Sequence, residues 1–386
     1  MPVVHPLQPL PEIAVRLARL DAFVFRVAIA TPVRTSFGAM LDRPAVVVRA
    51  EDADGAVGWG EAWCNFPSCA AEHRARLVET LIAPLVVGKP FASAAAAFAE
   101  LTSRTAVLAL QAGEPGPIAQ AIAGVDLALW DLAARRAGVP LWRLLGGRSG
   151  RIAVYASGIN PDRPEEVVAA KAAEGHRAFK LKVGFDDARD LDNVREVRAQ
   201  IGEHAALMLD ANQAWSPIDA RRMAQAVEPF AIGWLEEPLR VDTPLPTWQA
   251  LRAATRVPLA GGENLIGDDA FGAAIDGGAL SVIQPDVAKW GGISGCWRVV
   301  DAIRSAGLRF CPHYLGAGIG LLASAHLLAA VGGDGMLEID ANANPLRSAL
   351  SGPLATIDAG AAELGTAPGL GVEVDLSSLR ALCTVR

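Results

Sequence analysis

The feature that most limits how this chain can fold is a recurrence. From residue 182 to residue 338, short apolar runs end seven times in a charged or ionisable residue: Lys182, Asp210, Glu236 with Glu237, Glu263, Asp286, His313 and Glu338. The intervals fall between 23 and 28 residues, the length of one strand-plus-helix unit. With an earlier run at Ile152–Ser157 there are eight β-rich runs. The others are Ala178–Val183, Ala206–Asp210, Ile232–Glu236, Pro258–Gly262, Leu280–Gln284, Leu308–Cys311 and Met336–Ile339. Between the second and third, Leu191, Val194, Val197 and Ile201 lie near helical spacing. Eight strands alternating with helices predict an α/β chain with a (β/α)8 barrel across residues 141–350. A doubly wound sheet is the runner-up. Its G-x-G-x-x-G fingerprint is missing, and Gly316, Gly318 and Gly320 form only a late G-x-G-x-G.

The chain before the barrel reads differently. Asp21–Ile29, Ala45–Asp52 and Ala56–Glu61 alternate like strands, with Asp54-Gly55 as a hairpin turn between the last two. Thr31–Arg43 reads as a polar loop and Ala62–Cys69 as a second irregular stretch. Helical patterns follow near 70–85, 92–112 and 116–137, the last stopped by Gly138 and Pro140. Residues 13–140 are therefore expected to form an α+β capping domain. Residues 1–12, with Pro2, Pro6, Pro9 and Pro11, read as a loose leader. Residues 351–386 are expected to return to the cap and complete it.

Charge and composition exclude several functions. Forty-two acidic against 35 basic residues give a net charge of −7, and no Lys/Arg run reverses it locally, so nucleic acid and anionic membranes are poor partners. With 52% hydrophobic and 20% charged residues, the chain is too apolar for disorder. The five cysteines include no C-x-x-C pair, which argues against a disulfide framework or a thiolate zinc site. No signal peptide and no apolar stretch of spanning length is read, so a cytoplasmic protein is expected.

In a barrel, strand C-termini meet at one mouth. Each residue alone has an ordinary role, as a helix cap or a solvated turn residue. Six successive strand ends together do not. Lys180 and Lys182 are two apart in one strand and share a side. Asp210, one of Glu236 and Glu237, and Glu263 come from adjacent strands and offer only hard oxygen donors. That set selects Mg²⁺ over zinc. A carboxylate at Asp286 beside His313 would fix the imidazole's tautomer and support its charged form. Lys182 would serve as a base if Lys180 and the ion depress its pKa.

These motifs together resemble the enolase superfamily, and within it the mandelate racemase branch. They are Lys180-Leu-Lys182, Asp210-Ala-Asn212, Trp234-Leu-Glu236-Glu237-Pro238, Gly262-Glu263-Asn264, Gln284-Pro-Asp286 with Lys289-Trp-Gly-Gly292, Pro312-His313 and Leu337-Glu338-Ile-Asp340. The resemblance implies that Asp210, Glu236 and Glu263 hold Mg²⁺, and it selects Glu236 over Glu237. It implies that Lys180 lies beside a substrate carboxylate, and that Lys182 and His313, supported by Asp286, serve opposite faces of the α-carbon. Protonated Glu338 is implied to hydrogen-bond the carboxylate as it becomes an enediolate. It further implies a small carboxylate substrate, and a homo-oligomer is expected. Dehydration of an acid sugar to a 2-keto-3-deoxy acid is the preferred outcome, with racemisation or epimerisation of a 2-hydroxy acid as the alternative. A cycloisomerase, or a barrel that binds an acid without turning it over, fits less well. Arg34, Phe37, Trp63, Asn65 and Ser68 in the cap loops, with Asn212, are candidates to contact substrate; Arg34 is placed to meet a second carboxylate.

Overall fold

The computed structural model describes residues 6–383. The N-terminal unit holds a four-stranded antiparallel sheet of β1 (Val15–Thr35), β2 (Gly38–Asp52), β3 (Val57–Ala62) and the two-residue β4 (Pro90–Phe91), in the order β3–β2–β1–β4. β1 and β2 stay paired from Leu17 opposite Asp52 to Thr35 opposite Gly38, with register breaks after Leu17 and Ala28. The polar stretch 31–43, expected as a loop, is therefore the tip of a long hairpin. Its pairing is set by backbone partners rather than by an apolar face, so side-chain alternation does not reveal it.

The sheet packs on the helix Pro115–Arg136. The approach is close enough that a Cβ on Gly60 would stand 2.0 Å from the Gly124 carbonyl, and one on Gly58 2.2 Å from that of Ala128. Only glycine fits at this contact. The same helix corrects the expectation that no stretch is long enough to span a bilayer. Its 22 residues reach a mean hydropathy of 1.2, and 89% of the apolar window is buried inside the protein. Its hydrophobicity serves the core.

The barrel strands are β5 (Arg151–Ile159), β6 (Ala178–Lys182), β7 (Ala206–Asp210), β8 (Leu235–Glu236), β9 (Leu259–Gly261), β10 (Val282–Ile283), β11 (Arg309–Phe310) and β12 (Met336–Asp340). They pair in parallel in the order β11–β10–β9–β8–β7–β6–β5–β12, a nearly closed barrel. At the remaining seam the Met336 amide reaches Cys311 Sγ at 3.5 Å. Strand alternation sorts the side chains. Phe179, Leu181, Leu207, Leu209, Leu235 and Leu259 pack outward against the helices. Tyr155, Ala178, Met208, Trp234, Ala260, Val282, Cys311 and Met336 form a separate apolar cluster. By the same alternation Lys180 and Lys182 share a side with Ala178, Asp210 shares one with Met208, and Glu236 with Trp234. The charged strand ends thus rest on an apolar plug.

The chain after residue 350 touches both units. β13 (Ala361–Glu363) pairs antiparallel with the start of β5. Beyond it, the Gly369 carbonyl accepts from the Leu141 amide at 2.8 Å, and the Leu370 amide donates to Asp131 in the cap at 2.7 Å. At the other terminus, the Leu7 amide donates to Asp301 at 2.7 Å and the Gln8 carbonyl accepts from Trp297 at 3.0 Å. The expected loose leader is therefore tied to a barrel helix at these two residues; its first five residues lie outside the described ones.

Candidate active site

β6, β7, β8 and β12 bring four of the strand-end residues into one buried network. Lys180 Nζ lies 2.5 Å from Glu236 Oε1, 2.8 Å from Glu338 Oε1 and 3.7 Å from Asp210 Oδ2. Its ammonium also stands 5.5 Å from the centre of the Tyr155 ring. Lys182 Nζ, nearer the mouth, lies 2.6 Å from Asp210 Oδ2. The far oxygen of Glu236 accepts from Gln284 Nε2 at 2.6 Å and Trp234 Nε1 at 3.0 Å. Glu338 accepts from the Ser157 hydroxyl and from the Tyr314 amide. Every buried charge here has a partner, as burial requires.

A second network lies across the barrel. His313 Nδ1 is 2.7 Å from Asp286 Oδ2, and its Nε2 is 2.8 Å from Glu263 Oε2. Glu263 Oε1 meets Lys289 Nζ at 3.2 Å. Lys289 also donates to Asn264 Oδ1 at 3.0 Å, while Asn264 Nδ2 donates to both oxygens of Glu237. In strand order β6 and β11 are three strands apart one way and five the other, so Lys182 and His313 approach the mouth from nearly opposite sides.

The electrostatics of the protein groups alone bear on two expectations. Burial opposes the charge on Lys182, but the adjacent Asp210 outweighs it and raises its pKa. The expected depression needs the ion as well as Lys180, because a carboxylate at hydrogen-bond distance counts for more than the repulsion of Lys180 alone. Glu338 was expected to be protonated. Burial does favour that form, but Lys180 and His313 overcome it and hold the carboxyl below its usual range. For His313, burial is outweighed by Glu263, Glu338 and Asp286, and its pKa rises well above the ordinary value, which favours the imidazolium.

Among the described residues, no three His, Cys, Asp or Glu side chains close round a common point. Asp210, Glu236 and Glu263 each lean on a cation instead. The charge balance nevertheless suits a divalent ion. Six acids (Asp210, Glu236, Glu237, Glu263, Asp286, Glu338) face four cations (Lys180, Lys182, Lys289, His313), an excess of two negative charges. Burial and neighbouring carboxylates together raise two of these acids. Glu236 is pushed up to about 7, by burial first, with Asp210, Glu338 and Glu263 adding and Lys180 opposing. Glu237 is pushed up to about 8, by burial and then Glu263.

Above these groups lies a cavity of about 290 Å³. Lys182, Asn212, Gln213, Glu263, Asn264, Lys289 and His313 line it from the barrel; Thr35, Phe37, Trp63, Asn65 and Phe66 line it from the cap. The hairpin tip is fastened to the mouth by the Ser36 hydroxyl, which donates to the Asn212 carbonyl at 2.7 Å. Asn65 is held by the Leu315 carbonyl, and the Phe37 and Phe66 rings meet edge to face at 5.2 Å. Arg34 is not in the lining. Its side chain is 61% exposed and leans toward Asp162 at 3.9 Å, because its position in the paired hairpin turns it outward. Ser68 is likewise absent from the lining.

Four further residues were not singled out as site residues by the sequence. Lys289 belongs to a quoted motif, yet it sits in a turn rather than at a strand end. Gln284 and Trp234 precede strand-end acids and orient Glu236. Glu61, on β3, accepts from the Ala317 amide at 2.7 Å and the Gly320 amide at 3.0 Å. It anchors the start of the helix Gly318–Val331, just beyond His313. The glycines Gly318 and Gly320 gave the only sequence hint of that contact.

Comparison with known proteins follows the same outline. Residues 163–378 match the enolase C-terminal domain-like family, and residues 19–146 match the mandelate racemase / muconate lactonizing enzyme N-terminal domain. D-galactarolactone cycloisomerase of Agrobacterium fabrum is 32% identical, covering 87% of this chain and 90% of its own length. Arabinonate dehydratase of Saccharolobus solfataricus is 28% identical over 85% of this chain and 88% of its own. The structure of a mandelate racemase/muconate lactonizing enzyme from Bordetella bronchiseptica RB50 superposes with a TM-score of 0.92 at 61% identity, covering 96% of this chain and 100% of that one. A racemase from Streptomyces coelicolor A3(2) with bound magnesium superposes with a TM-score of 0.84 at 29% identity, covering 95% and 99%.

Proposed function

This chain belongs to the mandelate racemase / muconate lactonizing enzyme family of the enolase superfamily, and from that premise we propose that it removes the proton next to the carboxylate of a sugar acid and then expels the β-hydroxyl, a dehydration giving a 2-keto-3-deoxy acid. The observation that carries this reading is the placement of Lys182 and the Asp286-supported His313 on opposite sides of one cavity. Two proton-handling groups so placed can take a proton from one position and deliver one to a departing oxygen.

Asp210, Glu236 and Glu263 would hold Mg²⁺, which, when bound, supplies fixed positive charge for the substrate carboxylate. Lys180 adds charge from beneath, on the same polar layer. Lys182 takes the α-proton, which requires that Asp210 no longer hold its ammonium. His313, kept as an imidazolium by its carboxylate neighbours, donates a proton to the leaving hydroxyl. Glu338 orients Lys180 through their 2.8 Å contact and faces the carboxylate end of the site. Asn212 and Asn65 offer amides to sugar hydroxyls, and Phe37 closes the cavity from above.

Two related outcomes begin with the same proton abstraction. The likeness to a D-galactarolactone cycloisomerase favours a ring oxygen as the leaving group. The likeness to a racemase favours reprotonation from the other side, with no oxygen lost. Incubation with a library of acid sugars and their lactones, with MgCl₂ in D₂O, separates them. Dehydration gives 2-keto acids from open-chain acids, and ring opening gives them from lactones only. Racemisation gives α-deuterated recovered acid without keto product. No product and no exchange across the library would overturn the proposal.

A further inference from the structure

We infer that Lys289 is a specificity-determining residue that receives the second carboxylate of a dicarboxylic sugar acid. This rests on the sugar-acid reading above and names the far end of the substrate. The groups lining the cavity that carry positive charge, among the described residues, are Lys182, His313 and Lys289. The first two handle protons. Lys180 lies beneath them, enclosed by Glu236, Glu338 and Asp210. Lys289 is therefore the cation left to bind rather than react.

Its position is on the cap side of the cavity. The ammonium stands 4.8 Å from the centre of the Trp63 ring, and Trp63 comes from the cap. The Trp63 amide donates to the Ala288 carbonyl at 3.2 Å, one residue from Lys289, so cap and barrel are joined here. Of the three N–H donors on an ammonium, Glu263 and Asn264 engage two. Glu263 is shared with His313, so Lys289 does not have that carboxylate to itself, and one of its N–H donors is left for an incoming anion. Lys289 and Trp63 line the same cavity as Lys182 and His313, so a sugar acid whose reacting end lay between those two would have this wall within the same space. The cavity is at the small end of the range for ligand sites, about 300–1,000 Å³, which suits a short polyhydroxy chain. Arg34, the other candidate for a second carboxylate, is turned to solvent beside Asp162.

The test compares aldonates with aldarates of the same stereochemistry, in the presence of MgCl₂, on the wild type, Lys289→Gln and Lys289→Arg. The wild type should prefer the diacid of the matched pair at least ten-fold in kcat/KM. Lys289→Gln should remove that preference, mainly through KM, and Lys289→Arg should keep most of it. Equal losses on both acids in Lys289→Gln would show that Lys289 only balances Glu263, and would overturn the inference. A wild-type preference for the monoacid would also overturn it. Calorimetric binding of galactarate and galactonate is measured in parallel. If nothing is turned over but galactarate binds more tightly in a Lys289-dependent way, the dehydration proposal fails and this inference stands. If nothing is turned over and galactarate shows no advantage, both fail.

Discussion

The Asp286 carboxylate lies 2.7 Å from Nδ1 of His313 and fixes the direction of its other nitrogen, which faces Glu263. An amide at residue 286 keeps the shape and loses the charge that supports the imidazolium. Asp286→Asn should lower kcat by roughly 100-fold, near the lower end of what a positioned acid–base group contributes. KM should change by much less. Steady-state kinetics on the acid identified by screening checks this, and a KM-dominated loss would argue that Asp286 shapes the pocket instead.

Removing the two proton-handling groups one at a time should separate their faces. His313→Asn should abolish dehydration yet leave Lys182-dependent exchange of the α-proton for one stereoisomer. Lys182→Ala should suppress that exchange. Proton NMR of recovered substrate in D₂O reads both outcomes; wild-type turnover in both variants would show that the bases lie elsewhere.

The two excess negative charges predict a stability response to divalent ions. Chelation should abolish turnover, and MgCl₂ at about 100 times its dissociation constant should stabilise the fold by about 2.7 kcal/mol, seen as a raised Tm. In Asp210→Asn the rise should shrink sharply. An unchanged Tm in the wild type would count against a built cation site.

His326 carries a prediction away from the site. It is fully buried; its Nδ1 accepts from the Trp142 amide at 3.0 Å, and its Nε2 faces the Leu370 carbonyl at 3.3 Å. The Trp142 contact needs an unprotonated Nδ1, and burial, outweighing the Leu370 carbonyl, pushes the imidazole down to about 4. Below its ordinary value of 6.5 the unfolded chain takes up a proton that the folded chain refuses. Stability should therefore fall by about 2 kcal/mol between pH 7 and pH 5 from this group alone. His326→Gln should flatten that slope in urea titrations at the two pH values.

Glu61 should matter to the cap–barrel junction. Glu61→Ala leaves the buried amides of Ala317 and Gly320 without their acceptor, at a cost of about 2 kcal/mol or more. Urea denaturation reads the loss. Turnover should also fall, since the same segment carries His313.

The strand-end residues were legible because a barrel repeats its unit. Asp210, Glu236, Glu263, Asp286, His313 and Glu338 announce themselves by interval, even though β8, β10 and β11 are only two residues long. The hairpin tip was hidden because its partners are remote. Buried Arg43, read as the end of a polar loop, pairs with Asp340 at 2.7 Å across 297 residues of sequence. Lys289 was hidden because a turn position follows no period. The protonation of Lys182 and Glu338 depends on which of several nearby charges is closest, and no linear pattern encodes that distance.

The Ser36–Asn212 hydrogen bond pins a finger of the cap onto the rim of the barrel. Selection can therefore act on the finger alone. Changes there would reshape the cap wall of the cavity, lined by Thr35 and Phe37, while leaving the strand-end residues beneath in place.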